Sequence, residues 1–486
     1  MNRMRANRAN VTEQNTLRFQ VLSESEIKQI HASSMEVLWR SGVFIESQEA
    51  LNMLEEGGCK VKDGIAKIPP GLCEWAIDSA PSHFLLFDRS QKNPLDIGGH
   101  NSYFGMGPTL LHMLDPETGE RRKFRKSDTA MAAKVADALP NVEWVMGYGT
   151  LSDVNPEYAD RHEFEAMMSN TSKPLVIWSD TPEGVRDAVR MAASAVGGEK
   201  KFLEAPFIAS YSEPISPFVQ NKMAVEKLLL TADLGIPTVH TPIPQTGASA
   251  PITLAGELVS TNAENLASIV ISQLRKPGFP IVMGGVIGTM DMLQAQLAYG
   301  APEMQLMLAG TMDIAHYYGI PTWGTAGCTD SKLVDQQAAI EATQSVLYSA
   351  LSGANLVHDT GYMASGTLGA LEMLVLVNEI IGYAKFITNG IRVDEDTLAV
   401  DVINEVGPGG EYLTTKHTFK HFREQLYPQS LMDRQMRDKW EAGGSKTMRE
   451  RLHEKAQDIL KNHQPAPLPQ EALDTIKDVM GQYKDI

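Results

Sequence analysis

Two histidines and one cysteine stand where this sequence could do chemistry. His240 and His358 each end a short apolar run, and Cys328 follows another such run. No H-x-E or H-x₃-H spacing and no nearby cysteine accompanies the histidines, so the sequence predicts no metal site. We expect His358, and with it His240, to donate a hydrogen bond to an anionic end of a ligand. No catalytic triad can be identified around Cys328, which we interpret as a small buried thiol.

Aromatic residues end or follow most of the other apolar runs. They are Phe104, Tyr148, Trp178, Tyr211, Trp323 and Tyr362. A cation that has no proton to donate, such as a quaternary ammonium, is attracted to a well-placed ring face by about 0.5–2 kcal/mol. We therefore predict that these residues line a binding site for a quaternary ammonium, with Phe104 as an additional wall. Packing in the core or at a subunit interface is the alternative.

The elements that must position these residues follow a repeating order. Eight short runs rich in β-formers alternate with longer helical segments: Ser102–Met106, Glu143–Tyr148, Leu175–Trp178, Phe207–Tyr211, Thr238–His240, Ile281–Gly284, Thr322–Gly324 and Asn355–His358. Alternating strands and helices indicate a parallel sheet, and eight such units predict a (βα)8 TIM barrel of the α/β class. The candidate residues then lie at the carboxyl ends of the strands, where barrel active sites lie. An open doubly wound sheet is disfavoured because Gly105-Met106-Gly107-Pro108 does not match a dinucleotide fingerprint.

The barrel is predicted to lie between two extensions. We place an N-terminal section at residues 1–95, the barrel at 96–390 and a C-terminal helical extension at 391–486. Ser23 and Glu26 have the spacing of a capping box, which predicts the first helix of the N-terminal section. The apolar helix predicted at residues 368–383 is a candidate subunit interface, and we expect a homo-oligomer.

Charge and cysteine content narrow the class of protein. The chain has 43 Lys and Arg residues against 60 Asp and Glu residues, a formal charge of −17. An acidic protein is a poor partner for nucleic acid or an anionic membrane, and its ligand can be cationic. Three cysteines provide no disulfide framework, and the most apolar stretch is too short and too charged to span a bilayer. We expect a cytoplasmic protein.

Short motifs in one order run through nearly the whole chain. They include Met35-Glu36-Val37-Leu38, Lys67-Ile68-Pro69, Thr253-Leu254-Ala255-Gly256, Thr329-Asp330-Ser331-Lys332, Thr397-Leu398-Ala399-Val400 and Ala442-Gly443-Gly444-Ser445-Lys446. In these the sequence resembles the trimethylamine methyltransferase superfamily, whose members are corrinoid-dependent enzymes. The resemblance implies a barrel that transfers a methyl group to Co(I) of a corrinoid presented by a cognate corrinoid protein, with no cofactor bound tightly by the chain itself.

The residue after the seventh strand bears on the substrate. Archaeal members of the family carry pyrrolysine at the position that the resemblance equates with Cys328. Relatives that lack pyrrolysine resemble demethylases of quaternary amines. The resemblance therefore implies glycine betaine as substrate, with proline betaine, carnitine or γ-butyrobetaine as alternatives. A protein that only binds a quaternary amine, and a metal-dependent barrel lyase or hydrolase, remain alternatives of a different class.

Overall fold

Eight parallel strands form the centre of this computed structural model, which describes residues 17–428 and 430–483. They are β1 (Tyr103–Gly105), β2 (Val142–Trp144), β3 (Leu175–Trp178), β4 (Ile208–Ser212), β5 (Thr238–His240), β6 (Ile281–Gly284), β7 (Thr322–Thr325) and β8 (Leu356–His358). Consecutive strands pair in parallel from β3 through β8 to β1 and β2. A parallel bridge between Val145 and Leu175 closes the ring. The predicted (βα)8 barrel is confirmed, since each of the eight predicted runs overlaps one strand.

A helix covers the barrel after each strand. These helices are α1 (Lys126–Ala138), α2 (Ala159–Asn170), α3 (Pro182–Val196), α4 (Lys222–Leu234), α5 (Leu254–Arg275), α6 (Pro302–Tyr318), α7 (Gln336–Ser352) and α8 (Leu371–Thr388). Local sequence fixes their ends. The Asp335 side chain accepts a hydrogen bond from the Ala338 N–H at the start of α7, and Gly353 ends that helix in the left-handed conformation.

A β-hairpin closes the amino-terminal end of the barrel. Its strands are His83–Leu86 and Leu95–Gly98, and both Leu86 and Ile97 are fully buried in the cluster that fills the barrel interior. The Phe87 N–H donates to the carbonyl of Pro206, which leads into β4. Because this end is plugged, the barrel is left open to a ligand at the carboxyl ends of its strands.

The N-terminal section packs against the outside of the barrel. The predicted capping box is present, because the Ser23 and Glu26 side chains each bond the other's backbone N–H at the start of the first helix. The helices are Glu24–Arg40, Gln48–Glu56 and Pro70–Ser79, and the strands are Val43–Ile45, Lys60–Lys62 and Ile65–Lys67, which join Val219–Gln220 in one sheet.

Loops at the carboxyl ends of the strands form two small sheets over the barrel mouth. One contains His112–Leu114, Arg121–Lys123, Tyr362–Met363 and Leu368–Gly369; the other contains Gln245–Thr246, Gly288–Asp291 and Gln296–Leu297. A 3₁₀ turn at Pro156–Tyr158 lies in the loop after β2, whereas a short helix at Glu199–Glu204 connects α3 to β4 at the opposite end of the barrel. The sheets shelter the mouth from bulk water.

The remaining helices lie after α8. They are Glu395–Leu398, Val400–Val406, Lys416–Gln425, Arg437–Ala442, Met448–Asn462 and Gln470–Met480. The boundaries drawn at residues 95 and 390 stay predictions; the first cuts the hairpin strand Leu95–Gly98, and the second falls between two helices. In the described part of the chain, no helix has the length and apolarity needed to cross a membrane.

The expected interface on α8 is wrong. Leu376 is only 4% exposed in the single chain, so it is not available to a partner. The helix Met448–Asn462 covers α8 through Leu452, Ala456 and Ile459, and a His453 ring nitrogen lies 2.8 Å from a Glu372 carboxylate oxygen. The apolar pattern of α8 reflects burial within the chain.

The plug gives a matched test of the fold. Leu86 is fully buried, whereas the neighbouring Leu85 is 45% exposed. We expect Leu86→Ala to lower the free energy of unfolding by about 2–4 kcal/mol through lost contacts and a cavity. Leu85→Ala should cost less than about 1 kcal/mol. Urea unfolding followed by circular dichroism measures both, and equal losses would mean that the hairpin does not close the barrel.

Candidate active site

Four large rings form a continuous row in the barrel interior, and a fifth inward-facing ring, Tyr103, lies toward the hairpin, where its hydroxyl accepts from the Asp96 N–H. Along each strand alternate residues face inward, which brings together Trp144 of β2, Trp178 of β3, Tyr211 of β4 and Trp323 of β7. Ring centroids lie 5.3 Å apart for Trp144 and Trp323, 5.2 Å for Tyr211 and Trp323, and 5.6 Å for Trp178 and Tyr211. We call these four residues the aromatic row. Trp144 was not among the predicted site residues.

The aromatic row differs in shape from the predicted binding site, in which separate rings surround a quaternary ammonium. Its members contact one another and do not stand as separate walls, with ring planes tilted by 34–39° so that neighbouring faces diverge on one side. Trp178 alone in the row is partly exposed, and the Lys227 Nζ lies 5.3 Å from its ring centroid. The Trp323 indole N–H is buried without a hydrogen-bond partner. It is therefore an available donor inside the barrel.

His358 extends the row at the end of β8. Its ring lies 4.5 Å from Trp323 and 6.4 Å from Tyr211, measured between centroids. Its Nδ1 lies 2.7 Å from the Gly324 carbonyl oxygen, which fixes this nitrogen as the donor. The other ring nitrogen, Nε2, lies 3.4 Å from an Asp359 carboxylate oxygen. Of the predicted site residues, the structure thus brings Trp178, Tyr211, Trp323 and His358 together.

Tyr148 and Tyr362 form a separate pair above the strand ends. Their ring centroids are 6.0 Å apart. The Tyr362 hydroxyl accepts a hydrogen bond of 2.6 Å from the Thr109 N–H, and the Tyr148 hydroxyl donates to the Gly361 carbonyl at 3.0 Å. These bonds lock the loops after β1, β2 and β8 to one another. The pair is positioned to support the mouth.

Two predicted site residues lie on the other side of the barrel wall. Phe104 alternates with the inward-facing Tyr103 and packs toward α8, where the Lys385 Nζ lies 5.8 Å from its ring. His240 alternates with the inward-facing Val239, and its Nε2 bonds the Gln220 side chain at 2.8 Å. Burial lowers the pKa of His240 to about 3, so the ring is neutral. The predictions that Phe104 forms a wall of the site and that His240 donates to the ligand are therefore wrong, because both side chains point away from the barrel interior.

Asp359 is the carboxyl group around which the mouth is organised. It accepts a 2.8 Å hydrogen bond from the Tyr299 hydroxyl and lies 3.4 Å from the His358 Nε2. Burial raises its pKa, and its charge adds to burial in raising the pKa values of Tyr211, Tyr299 and Tyr362. A Cβ on Gly107 would lie 1.9 Å from the Asp359 Oδ1, so the glycine turn after β1 is needed for this approach.

Two residues near the mouth have a left-handed backbone. Asp359, directly after β8, has φ of +66°, and Tyr148, in the loop after β2, has φ of +72°. Side chains other than glycine rarely adopt this region, at a cost on the order of 1–3 kcal/mol. Such strain clusters at functional sites because surrounding contacts hold a group in one required position.

A second carboxyl group, that of Glu213, follows β4. It accepts a hydrogen bond from the Tyr211 hydroxyl, so it is joined directly to the aromatic row. Burial raises its pKa to about 7. Near neutral pH this group is therefore divided between a neutral and a charged form.

Glu163 of α2 is the third buried acid near the strand ends. Its carboxyl carbon would lie 1.9 Å from a Cβ on Gly147, and its Oε1 has no hydrogen-bond partner. Burial raises its pKa well above the ordinary value, and the charges of Asp160 and Asp180 add to the effect. Glu213 and Asp359 lie within two residues of predicted strand ends but were not among the predicted site residues. Glu163, on α2, was not among them either.

Cys328 is a buried thiol in the loop after β7. Burial raises its pKa well above the ordinary value, and the charges of Asp359 and Asp330 add to this effect. Its neutral form agrees with the sequence interpretation. Among the described residues, no group of three or more His, Cys, Asp or Glu is arranged to hold a metal ion.

An eight-stranded barrel with its strained and buried polar groups at the strand ends has the architecture of a barrel enzyme. The chain is similar to the solved structure of monomethylamine methyltransferase MtmB from Methanosarcina barkeri, with a TM-score of 0.53. The superposition covers 96% of this chain and 88% of MtmB. At 10% identity, this comparison shows the fold alone.

Sequence comparison identifies the family. The model for trimethylamine methyltransferase (MTTB) matches residues 2–485. The chain is 37% identical over 465 residues to trimethylamine methyltransferase MttB of Desulfitobacterium hafniense (strain DSM 10664 / DCB-2), covering 95% of this chain and 94% of that protein. It is 31% identical over 460 residues to glycine betaine methyltransferase of D. hafniense (strain Y51), covering 93% and 95%. The chain belongs to the trimethylamine methyltransferase family.

The thiols provide a test of the site's burial. Burial raises the pKa of Cys59 to about 11 and of Cys73 to about 12, and it raises that of Cys328 as well. Thiolates react and thiols do not, so the native protein should show no fast reaction with Ellman's reagent at pH 8. The urea-unfolded protein should titrate three thiols. A fast single equivalent in the native state, removed by Cys328→Ser, would show an activated cysteine at the mouth.

Proposed function

We propose that this chain transfers a methyl group from a quaternary amine, with glycine betaine as the first candidate, to Co(I) of a corrinoid held by a separate protein. The observation that carries the proposal is the combination of the aromatic row with the carboxyl groups of Glu213 and Asp359 at one sheltered barrel mouth. Membership of a methylamine methyltransferase family and similarity to a glycine betaine methyltransferase support it.

The charges at the mouth favour a cation as ligand. Asp160, Asp180 and Glu213 are the acids that interact electrostatically with Lys227 beside Trp178. Carboxylates and ring faces both attract a positive charge, and both act more strongly where water is excluded. A permanently charged ammonium also offsets the cost of burying these acids.

The proposed reaction depends more on the position of the substrate than on acid–base side chains. A quaternary nitrogen already carries its charge, so the tertiary amine leaves neutral and needs no proton from a side chain. The corrinoid supplies the nucleophile that accepts the methyl group. The aromatic row fills the barrel centre, which fits a corrinoid that is presented at the mouth by another protein. The chain's own residues bind the cation, orient one methyl group outward and exclude water.

The carboxylate of a betaine needs donors at the other end of the pocket. The Trp323 indole N–H is unpartnered, and the protonated form of Asp359, favoured by its raised pKa, is a second donor beside His358. These groups adjoin one another, since Trp323 and His358 stack at 4.5 Å. We assign the carboxylate to this end and the ammonium to the Trp178 and Glu213 end.

The substrate class is tested with the corrinoid partner reduced to Co(I). We expect glycine betaine to change the cobalt absorbance and to yield the demethylated amine, with Trp178→Leu raising KM by about 2- to 30-fold for the loss of one ring. Leucine keeps the position apolar, so the fold should persist. Trp75→Ala, which alters a tryptophan that is 39% exposed on the N-terminal section, is the matched control and should leave KM unchanged.

The alternatives give different results in the same assay. If only proline betaine, carnitine or γ-butyrobetaine is demethylated, the substrate is that compound, and the proposed class of quaternary amines still holds. Turnover of trimethylamine alone, as the name of the 37% identical relative suggests for that protein, would overturn the quaternary-amine proposal. Tight betaine binding without demethylated product would favour a binding protein.

The pKa of Glu213 predicts how binding depends on pH. Because the pKa lies at about 7 rather than 4.5, the group is mostly neutral at pH 6 and mostly charged at pH 8. Calorimetry should show the ammonium ligand binding up to about tenfold more tightly at pH 8 than at pH 6. Glu213→Gln should abolish that difference, while Glu183→Gln, at an exposed position of α3, should not. Tighter binding at pH 6 would mean that the protonated Glu213 donates to the ligand carboxylate instead.

A further inference from the structure

One lysine lies among the groups that are proposed to bind the ammonium. Lys227 of α4 is only 4% exposed, and its Nζ donates a hydrogen bond to the Ser179 carbonyl oxygen. The same Nζ lies 5.3 Å from the ring centroid of Trp178. The protein thus places a cation of its own at a ring to which the cation of a ligand would also be attracted.

Two carboxyl groups lie beside this lysine at the strand ends. Trp178 of β3 and Tyr211 of β4 are paired in register, and Asp180 and Glu213 follow them by two residues each. Both acids interact electrostatically with Lys227. Asp180 is exposed, and the Glu213 carboxyl group accepts from the Tyr211 hydroxyl. The proposed ammonium end of the mouth therefore holds two acids and one base.

A third acid nearby, Asp160, is paired with a different base. Its Oδ1 lies 2.9 Å from the Arg161 Nη1, and its Oδ2 accepts a 2.6 Å hydrogen bond from the Ser179 hydroxyl. The other two acids are then left to balance the lysine. When both are ionised, two negative charges face one positive charge, and a single ligand ammonium neutralises the remainder.

The charge of Lys227 is satisfied within the protein. Burial lowers its pKa, but the charges of Asp180, Glu213 and Asp160 act in the opposite direction. A buried cation needs hydrogen bonds and opposite charges, and the Ser179 carbonyl and these acids supply them. The lysine therefore does not require the carboxylate of a ligand as its partner.

A fixed positive charge acts differently on ligands of different charge. It repels the ammonium of any quaternary amine bound against Trp178, and the repulsion is stronger where water is excluded. A zwitterion also carries a carboxylate, and the attraction between this carboxylate and the lysine offsets part of the repulsion. A simple quaternary cation has no group that offsets it.

We infer that Lys227 is a specificity-determining residue that selects zwitterionic quaternary amines over simple quaternary cations. The inference rests on the proposed function, in which the ammonium lies at the Trp178 and Glu213 end and the carboxylate beside Trp323. Without the lysine, the acids would attract any cation, with or without a carboxylate. Specificity of this kind comes from repulsion of the wrong ligand as much as from attraction of the right one.

Three probes separate the effects of charge. Glycine betaine is a zwitterion, tetramethylammonium is a simple cation, and 3,3-dimethylbutanoate has the shape of glycine betaine with carbon in place of the charged nitrogen. Calorimetry at pH 8, where Glu213 is mostly charged, measures their binding. We expect Lys227→Met to tighten tetramethylammonium binding about tenfold and glycine betaine binding less than about threefold, and to weaken 3,3-dimethylbutanoate binding. A merely structural lysine would not produce tighter binding when it is replaced.

Two further variants control for the loss of the side chain itself. Lys227→Gln removes the charge but keeps a donor for the Ser179 carbonyl, so it should reproduce the order of effects. Lys222→Met, at an exposed position of the same helix, is the matched control and should change none of the three affinities.

The possible failures are distinguishable. Equal changes for all three probes, or weaker glycine betaine binding by Lys227→Met, would overturn the inference and leave the proposed function standing. The second of these results would mean that the lysine holds the ligand carboxylate. A wild type that binds neither glycine betaine nor tetramethylammonium would overturn the proposed function, and this inference with it.

Discussion

The aromatic row at the barrel centre is the constraint on which the rest of the structure depends. Trp144, Tyr211 and Trp323 are fully buried there and fill the space that eight short strands enclose. The hairpin with Leu86 and Ile97 seals the end below them. A filled centre and a sealed end leave the carboxyl ends of the strands as the place where a ligand can meet the rings. The row is thus both the core of the barrel and the floor of its mouth.

Buried carboxyl groups at that mouth would be a liability without a ligand. Desolvation raises the pKa values of Glu163, Glu213 and Asp359, which means that the fold disfavours their charged forms. The strained backbone of Asp359 shows that contacts from Tyr299 and the glycine turn hold it in place despite the cost. A cation beside Glu213 would reverse this penalty for that group, which is the reason that the proposed function places an ammonium there.

The sequence predicted the order of elements well and the direction of side chains poorly. All eight strands were found because their β-branched and aromatic runs contrast with long amphipathic helices. Phe104 and His240 were misplaced because a strand-end position does not say which face a residue takes, and a shift of one residue reverses it. Trp144 was missed because the predicted run extended to Tyr148, whereas β2 ends at Trp144. Glu163 was not chosen because burial of charged and polar residues along α2 gives no signal in the hydrophobic pattern.

An apolar pattern shows that a surface is covered but not by what. Helix α8 is the most apolar segment of the chain, yet its cover is the helix Met448–Asn462 of the same chain, which is about 60 residues further along. Residues 391–426 show the opposite case, because their three helices are too short for a clear period and their large apolar side chains are mostly exposed. The sequence pattern therefore predicts that a long helix is buried, whereas the segment that covers it, and the exposure of short helices, follow only from the tertiary contacts.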